Sequence, residues 1–305
     1  MDFQLTEDQR AILEPLDRAI ADFSDRAAGK TTSYVEDEGF SRVLESQGYF
    51  DQDVARTFDA ISALLVVEKA ATAPLTAPIA GSFFIAPRVS DRPLPGPVAI
   101  ADEGGRGAIR HLPGAKTLLV EAGGAVRAVD LSRCEIASVT SNIAYPLGRI
   151  VSGDLAAAPA LDVSPARFDH LRRLAAAAEM LGLMQGALDL TVGYVKLRKQ
   201  FKRAIGSFQA VRHRLVECTV AVSGARYLTY RAGWSDDPGD AELALAHTQT
   251  SAGRLVYETQ QFHGAIGQTL EYPLHLWTFR LRALQGEFRG PSVNAALAAA
   301  RIWGT

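Results

Sequence analysis

The chain has 305 residues, 48% of them hydrophobic, and a formal net charge of −2 at pH 7. Such a chain can bury a sizeable core and should divide into two or three packed units, while its small net charge argues against bulk nucleic-acid binding. The N-terminus lacks a basic region followed by an apolar core, and no apolar run is long enough to span a bilayer. We therefore expect a soluble cytoplasmic protein with no membrane partner. The cysteines and histidines do not have the spacing of a metal site, so no metal is expected.

Residues 1–89 are predicted to be helical. Thr6 and Gln9 have the spacing of a capping box ahead of an amphipathic first helix. Pro15 lies inside that pattern, where proline kinks or delays a helix. A strongly apolar helix is predicted over 59–70, after which prolines should break helicity.

Residues 90–161 are predicted to form a small β unit. Short β-prone runs are separated by glycine pairs. The runs are 98–101, 117–120, 125–129 and 136–139. The DEGGRG segment within this unit lacks the lysine and hydroxyl residue of a phosphate-binding loop, which indicates a hairpin or surface loop instead.

Residues 162–305 are predicted to form a four-helix bundle followed by a final helix. Ser164 and Pro165 are a good N-cap and first helical residue for a long amphipathic helix that ends near Gln200. A basic turn follows this helix, with the sequence RKQFKRAIG. Further helices are predicted over 209–234, 240–263, 273–288 and 292–303.

Two motifs in this part of the chain resemble the C-terminal helical domain of the acyl-CoA dehydrogenase family. The first is R-x-x-F followed by I-G-x-F-Q, over 198–209, and the second is Q-x-H-G-x-x-G over 261–267, followed by E-x-P-L and an arginine-rich helix. The segments MDFQLTEDQRAILEPL and LLVVEKAATAPLTAPIA resemble the N-terminal helical domain of that family. The resemblance implies an α+β, mainly α fold with a helical domain, a reduced middle β domain and a four-helix bundle.

In that family, residues of both motifs reach across a subunit interface to a neighbour's FAD. The resemblance implies six cofactor-binding residues: Arg198, Phe201, Gln209, Gln261, Gly264 and Gly267. Arg198 and Gln261 would bind the pyrophosphate, because a guanidinium fork matches two phosphate oxygens, while the glycines would admit backbone N–H groups. Phe201 and Gln209 would lie beside the adenine half. Lys202 and Ala265 depart from the family pattern, which has glycine at both positions.

The middle domain and the catalytic base also depart from the family pattern. The T-E-P-x-x-G-S-D loop and the W-x-T/S segment that cradle the flavin ring are absent from the sequence. The two positions at which the family carries its glutamate base fall on Arg172 and Arg289, and arginine stays protonated. Glu287 is the fallback base. Glu179 is a second nearby carboxylate, and both could equally be helix-surface carboxylates among the local arginines.

These patterns indicate the non-catalytic subunit of a heteromeric (α2β2) acyl-CoA dehydrogenase, an oxidoreductase active only in the complex. A second acyl-CoA dehydrogenase-like subunit would supply the flavin-ring pocket and the glutamate. The complex would catalyse α,β-dehydrogenation of an acyl-CoA thioester in fatty acid or steroid catabolism, with a steroid side-chain ester as one candidate substrate and an electron-transfer flavoprotein as acceptor. Two alternatives remain: a self-sufficient homomeric dehydrogenase that uses Glu287, and a non-enzymatic structural or oligomerisation protein on the same fold.

Overall fold

The computed structural model describes residues 4–25, 30–140 and 143–304. The predicted fold class is confirmed: helices come first, a small β region follows, and a helical bundle completes the chain. Parts of the predicted first and middle domains lie outside the described residues, namely positions 1–3, 26–29 and 141–142. Among the described residues, no helix is both long and apolar enough to cross a bilayer.

The first part of the chain is helical. Its helices are α1 (Glu7–Ser24), α2 (Glu38–Ser46), α3 (Gln52–Arg56), α4 (Ala60–Ala71), a π-helix (Ala80–Ile85) and α5 (Ala86–Val89). The capping box of Thr6 and Gln9 is confirmed, and Pro15 lies inside α1 without delaying its start. The return to helix over 80–89 differs from the expectation that prolines end helicity here. Pro87 lies within this helical stretch, in the short α5 that follows the π-helix without a break.

The middle part contains two three-stranded sheets. Its strands are β1 (Val98–Ile100), β2 (Ile109–Arg110), β3 (Thr117–Ala122), β4 (Ala125–Asp130), β5 (Glu135–Val139) and β6 (Leu147–Ser152). One sheet has the order β1-β3-β4, with β1 parallel to β3 and β4 antiparallel to it. The other has the antiparallel order β2-β6-β5. Strands β2 and β6 were not predicted, since β2 is only two residues long and β6 contains glycine and arginine.

The last part is the predicted bundle. It contains α6 (Pro165–Leu197), a short hairpin of β7 (Lys199–Gln200) and β8 (Arg203–Ala204), α7 (Gln209–Ser235), α8 (Pro238–His263), α9 (His275–Gly286) and α10 (Pro291–Trp303). Ser164 caps α6 by accepting from the Arg167 N–H. The hairpin after α6 is new, because the sequence indicated only a basic turn.

Close packing of α4 against α6 joins the first part of the chain to the bundle. A Cβ on Gly182 would lie 2.0 Å from the Glu68 carbonyl oxygen, so only glycine fits at this contact. One turn later Gly186 makes a similar approach, and the Trp277 indole N–H donates to the Thr72 carbonyl at 2.9 Å. One continuous apolar core therefore extends from α1 into α9, and a smaller core lies between the two sheets.

Candidate functional site: an exposed basic edge and a closed cavity

The first predicted motif forms the hairpin at the end of α6. Phe201 and Lys202 are its turn residues, with φ of 50° and 65°. Two successive positive φ angles give the turn the twist that a two-residue hairpin requires. The left-handed φ at Lys202 gives a physical reason why glycine suits this position.

The hairpin exposes both aromatic and cationic side chains. Phe201 is 86% exposed, and the Arg203 guanidinium lies 4.0 Å from the ring centre of Phe208. Arg198 is exposed at the C-cap of α6, and Gln209 is exposed at the start of α7. Cations beside an open aromatic face can hold a phosphate with an attached ring.

The second predicted motif forms the end of α8. Gly264 has φ 64° and ψ −140°, and its N–H donates to the carbonyls of Gln260 and Gln261. Gly267 is buried, and a Cβ there would lie 2.7 Å from the Cβ of His263. Glycine is therefore required at Gly264 by its backbone angles and at Gly267 by close contact. Gln261 itself is exposed.

A stack of rings brings the two motifs to the same end of the bundle. Tyr194, in the last turn of α6, stacks on His263 at 4.3 Å between ring centres, and Tyr272 contacts both rings. His263 Nδ1 lies 2.8 Å from the Thr259 carbonyl oxygen. Burial lowers the pKa of His263, so its imidazole stays neutral and acts as a packing group. We call this end of the bundle, with Arg198, Phe201, Gln209, Gln261, Gly264 and Gly267, the basic edge.

The basic edge fits the phosphate half of FAD in the chemistry of its donors. It combines exposed cations, an exposed aromatic ring and a turn at Gly264 that a Cβ would not obstruct. The family's T-E-P-x-x-G-S-D and W-x-T/S segments, which would hold the flavin half, are absent from the sequence. The six predicted contacts to FAD stay predictions.

A second group of candidate residues lies far from the basic edge, where the middle β unit meets the bundle. The Arg110 guanidinium, from β2, donates through Nε and Nη2 to the Glu287 carboxylate at 2.9 and 3.3 Å. Its Nη1 donates to both oxygens of Glu179, on α6, at 3.2 and 3.1 Å. The Tyr145 hydroxyl donates to Glu179 at 2.7 Å. Both carboxylates are thus engaged by one cation.

The pKa values of the two carboxylates move in opposite directions. Burial raises the pKa of Glu287, and the nearby charge of Arg110 only partly offsets this effect. Burial also opposes ionisation of Glu179, but Arg110 and the Tyr145 hydroxyl outweigh it, so the pKa of Glu179 is lowered. A raised pKa suits a general base, yet both oxygens of Glu287 accept hydrogen bonds from Arg110.

Of the two arginines at the family's base positions, Arg172 lines the cavity beside these carboxylates, whereas Arg289 is exposed in the loop that follows Phe288. Arg172, on α6, pairs with Asp102 and lies 4.9 Å from the ring centre of Phe288. Phe288 and Arg289 have successive left-handed φ angles of 52° and 63°. The buried Gln249 amide fixes this loop by donating to the Glu287 carbonyl at 3.0 Å.

The structure thus brings Arg172, Glu179 and Glu287 together around a cavity of about 80 Å³. Sequence reasoning missed Arg110 and Tyr145, which complete the group. The signal for Arg110 was an arginine beside a histidine between the apolar residues of the run A-I-R-H-L.

Comparisons with known proteins identify the bundle. Residues 163–290 match the family described as acyl-CoA dehydrogenase, C-terminal domain. The chain is 38% identical over 101 residues to acyl-CoA dehydrogenase IpdE2 of Mycobacterium tuberculosis, an alignment that covers 33% of this chain and 32% of that protein. It is 35% identical over 107 residues to the mitochondrial short/branched chain specific acyl-CoA dehydrogenase of Bos taurus, covering 33% of this chain and 25% of that protein. The chain thus spans a quarter to a third of these relatives' length.

Solved structures resemble the chain along its whole length. The ChsE4-ChsE5 complex from Mycobacterium tuberculosis matches with a TM-score of 0.82 at 20% identity, covering 100% of both chains. A Tcur3481-Tcur3483 steroid ACAD variant matches with a TM-score of 0.79 at 20% identity, covering 98% of this chain and 99% of that chain. Butyryl-CoA dehydrogenase from Megasphaera elsdenii matches with a TM-score of 0.74 at 17% identity, over 99% and 100%. At these identities the likeness shows the fold: the chain has the acyl-CoA dehydrogenase fold, and its residues 163–290 match the C-terminal domain of that family.

Proposed function

We propose that this chain is the non-catalytic subunit of a heteromeric, FAD-dependent acyl-CoA dehydrogenase. A partner subunit of the same family supplies the flavin-ring pocket and the glutamate base. The assembled enzyme introduces a double bond between the α and β carbons of an acyl-CoA thioester. When bound, FAD accepts the hydride in this reaction.

The observation that carries the proposal is the separation of the basic edge from the carboxylate cavity. Arg198 lies about 28 Å along α6 from Glu179, at 1.5 Å of rise per residue. Arg198 and Gln261 are also exposed. Donors on an outer edge of one chain are suited to a cofactor that belongs to a neighbouring chain.

Each residue of the basic edge has a role that its chemistry supports. The Arg198 guanidinium binds two phosphate oxygens, and Gln261 offers an amide N–H. Phe201 gives an exposed aromatic face to the adenine, with Gln209 beside it. Gly264 and Gly267 let the chain turn tightly beside Gln261, and the exposed Gly264 presents no side chain to the cofactor.

Two of the similar structures support the finer parts of the proposal. One neighbour is a two-protein complex and another is described as a steroid ACAD. We therefore propose a steroid side-chain CoA ester as the substrate, an electron-transfer flavoprotein as the electron acceptor, and the cytoplasm as the location.

A self-sufficient homomeric enzyme is the second candidate, favoured by the raised pKa of Glu287. In that case Glu287 would have to leave Arg110 before it could accept a proton. A structural protein that uses the bundle only for assembly is the third candidate.

Flavin content separates these candidates. We expect the chain expressed alone to be colourless, and the chain co-expressed with an adjacent acyl-CoA dehydrogenase-like gene product to be yellow. Arg198→Ala should weaken FAD retention in the complex by about tenfold or more, because a charge-assisted hydrogen bond contributes roughly 1.5–3 kcal/mol. Arg254→Ala, an exposed arginine on α8 outside the basic edge, is the matched control.

Each other outcome selects a different candidate. A yellow chain on its own would contradict the heteromer and favour the homomeric enzyme. Unchanged flavin content in the Arg198→Ala complex would contradict the role of the basic edge and favour the structural protein.

A further inference from the structure

The network around Arg110 joins three parts of the chain. Arg110 comes from β2, Glu179 from the middle of α6, and Glu287 from the loop after α9. The guanidinium makes a two-bond fork to Glu287 and places its remaining terminal nitrogen between the two oxygens of Glu179. A planar group with five N–H donors has the shape and charge for two carboxylates at once.

Three small voids surround this network. Their volumes are about 80, 30 and 20 Å³, and Glu179 borders all three. Arg110 borders the two larger voids, and His111 borders the two smaller ones. Pockets that bind drug-sized ligands measure about 300–1,000 Å³. These voids are large enough for water molecules but too small for an acyl thioester.

We propose that Arg110 is an intramolecular ligand of a two-carboxylate site formed by Glu179 and Glu287, and that it keeps the chain's own cavity closed. The site selects a guanidinium cation, because its four carboxylate oxygens all accept from one planar group. Neither carboxylate is then available as a base to a substrate. This inference concerns the isolated chain and does not depend on FAD or on a partner subunit.

The charges explain why the ligand stays in place. Removing Arg110 would leave two carboxylates facing each other at partly buried positions, with side-chain exposures of 13% for Glu179 and 27% for Glu287. Removing one member of a buried ion pair is strongly destabilising, since the charge of the other member is then uncompensated. A free cation of the same shape should therefore enter the vacated space.

Chemical rescue of Arg110→Ala tests the proposal. The full-length variant should melt at a lower temperature than the wild type. Ethylguanidinium at millimolar concentration should raise the melting temperature of the variant saturably, because it restores the fork to the two carboxylates. Ethylammonium should have a smaller effect, since it has no planar fork.

Arg127→Ala is the matched control. Arg127 lies in β4 of the same β unit, but its guanidinium donates to the carbonyls of Ala122 and Ala158 instead of carboxylates. Ethylguanidinium should not raise the melting temperature of this variant or of the wild type. An equal rise in the control, or no rise in Arg110→Ala, would overturn the proposal.

A second set of variants, in which charged groups of the network are replaced by neutral ones, covers the case in which Arg110→Ala does not fold. Glu179→Gln with Glu287→Gln leaves the cation without its carboxylates and should lower the melting temperature. Adding Arg110→Met to this pair should recover stability, because the guanidinium that lost its two carboxylates is then also removed. Failure of the third change to recover any stability would contradict the two-carboxylate site.

Discussion

His111 is the residue whose ionisation has the clearest thermodynamic consequence. Burial lowers the pKa of His111 to about 3, and the positive charges of Arg110 and Arg280 act in the same direction, while Glu179 opposes them. Its ring packs edge-on against Tyr145 at 5.5 Å between ring centres. The imidazole is therefore neutral in the folded chain.

The neutral state of His111 predicts loss of stability on acidification. In the unfolded chain its pKa is near 6.5, so between about pH 6.5 and 3 the unfolded state binds a proton that the folded state does not. Stability contributed by this residue is present above pH 6.5 and falls by at most about 1.4 kcal/mol per pH unit below it. Urea unfolding of His111→Asn between pH 7 and 5 should show a shallower pH dependence than the wild type.

Asparagine is chosen at this position because His111 has a left-handed φ of 62°, which asparagine tolerates. His213→Asn, on the exposed face of α7, provides the control. Identical pH slopes for His111→Asn and the wild type would show that His111 is not the titrating group.

Glu287 supports a second prediction at the scale of single residues. Glu287→Gln in this chain should leave the activity of the assembled enzyme within about twofold, because in the proposed complex the partner supplies the base. The chain itself should lose roughly 1–3 kcal/mol of stability, since a neutral amide cannot replace the charge-assisted fork to Arg110. Steady-state kinetics and urea unfolding measure the two effects separately. Loss of activity without loss of flavin would instead identify Glu287 as the base.

Among the elements, the contact of α4 with α6 is the most sensitive to sequence. It depends on Gly182 and Gly186, which lie one turn apart on the face of α6 that meets α4. The Glu68 side chain links α4 to α7 as well, because it accepts from Arg226 at 2.8 Å and also from the Tyr230 hydroxyl. The helical first part and the bundle therefore behave as one packed unit at this contact.

Gly182→Ala should destabilise the chain by about 1–3 kcal/mol or more. The added methyl would overlap the Glu68 carbonyl, so one helix must move away from the other. Gly193→Ala, on the same helix with no atom within 4 Å of the added Cβ, should instead stabilise by up to about 1 kcal/mol through helix propensity. Thermal or urea unfolding of the two variants measures the difference. Equal stability of the two would contradict close packing at Gly182.

At the scale of the whole molecule, the basic edge and the closed cavity have different consequences for assembly. The exposed donors of the edge are suited to a cofactor on a neighbouring chain, while Arg110 occupies both carboxylates beside the cavity. Each pair of unlike chains should then contain one working site.

Cofactor stoichiometry measures this directly. In the purified complex, absorbance of released flavin against protein concentration should give about one FAD for each pair of chains. The Arg110→Ala complex should keep this ratio. Removing Arg110 would free space in the cavity, but the segments that hold the flavin ring would still be absent from the sequence. Two FAD per pair would mean that both chains form complete sites.

The sequence by itself determined the order and type of most elements. Helix starts were marked by local signals, such as the capping box at Thr6 and the serine and proline before α6, which act within one turn. The two motifs of the basic edge could be recognised from the sequence because each is a continuous stretch of the chain. Short strands such as β2 gave no comparable signal, since strand pairing depends on distant residues.

Only the tertiary structure decided the state of the candidate base. Arg110 meets Glu179 across 69 positions of sequence and Glu287 across 177, so no local pattern could reveal the contact. The direction of each carboxylate's pKa likewise follows from burial and from the neighbours that folding brings together. Sequence therefore indicated the fold and the candidate residues, whereas the packing of distant side chains decided that one arginine occupies both carboxylates beside a small cavity.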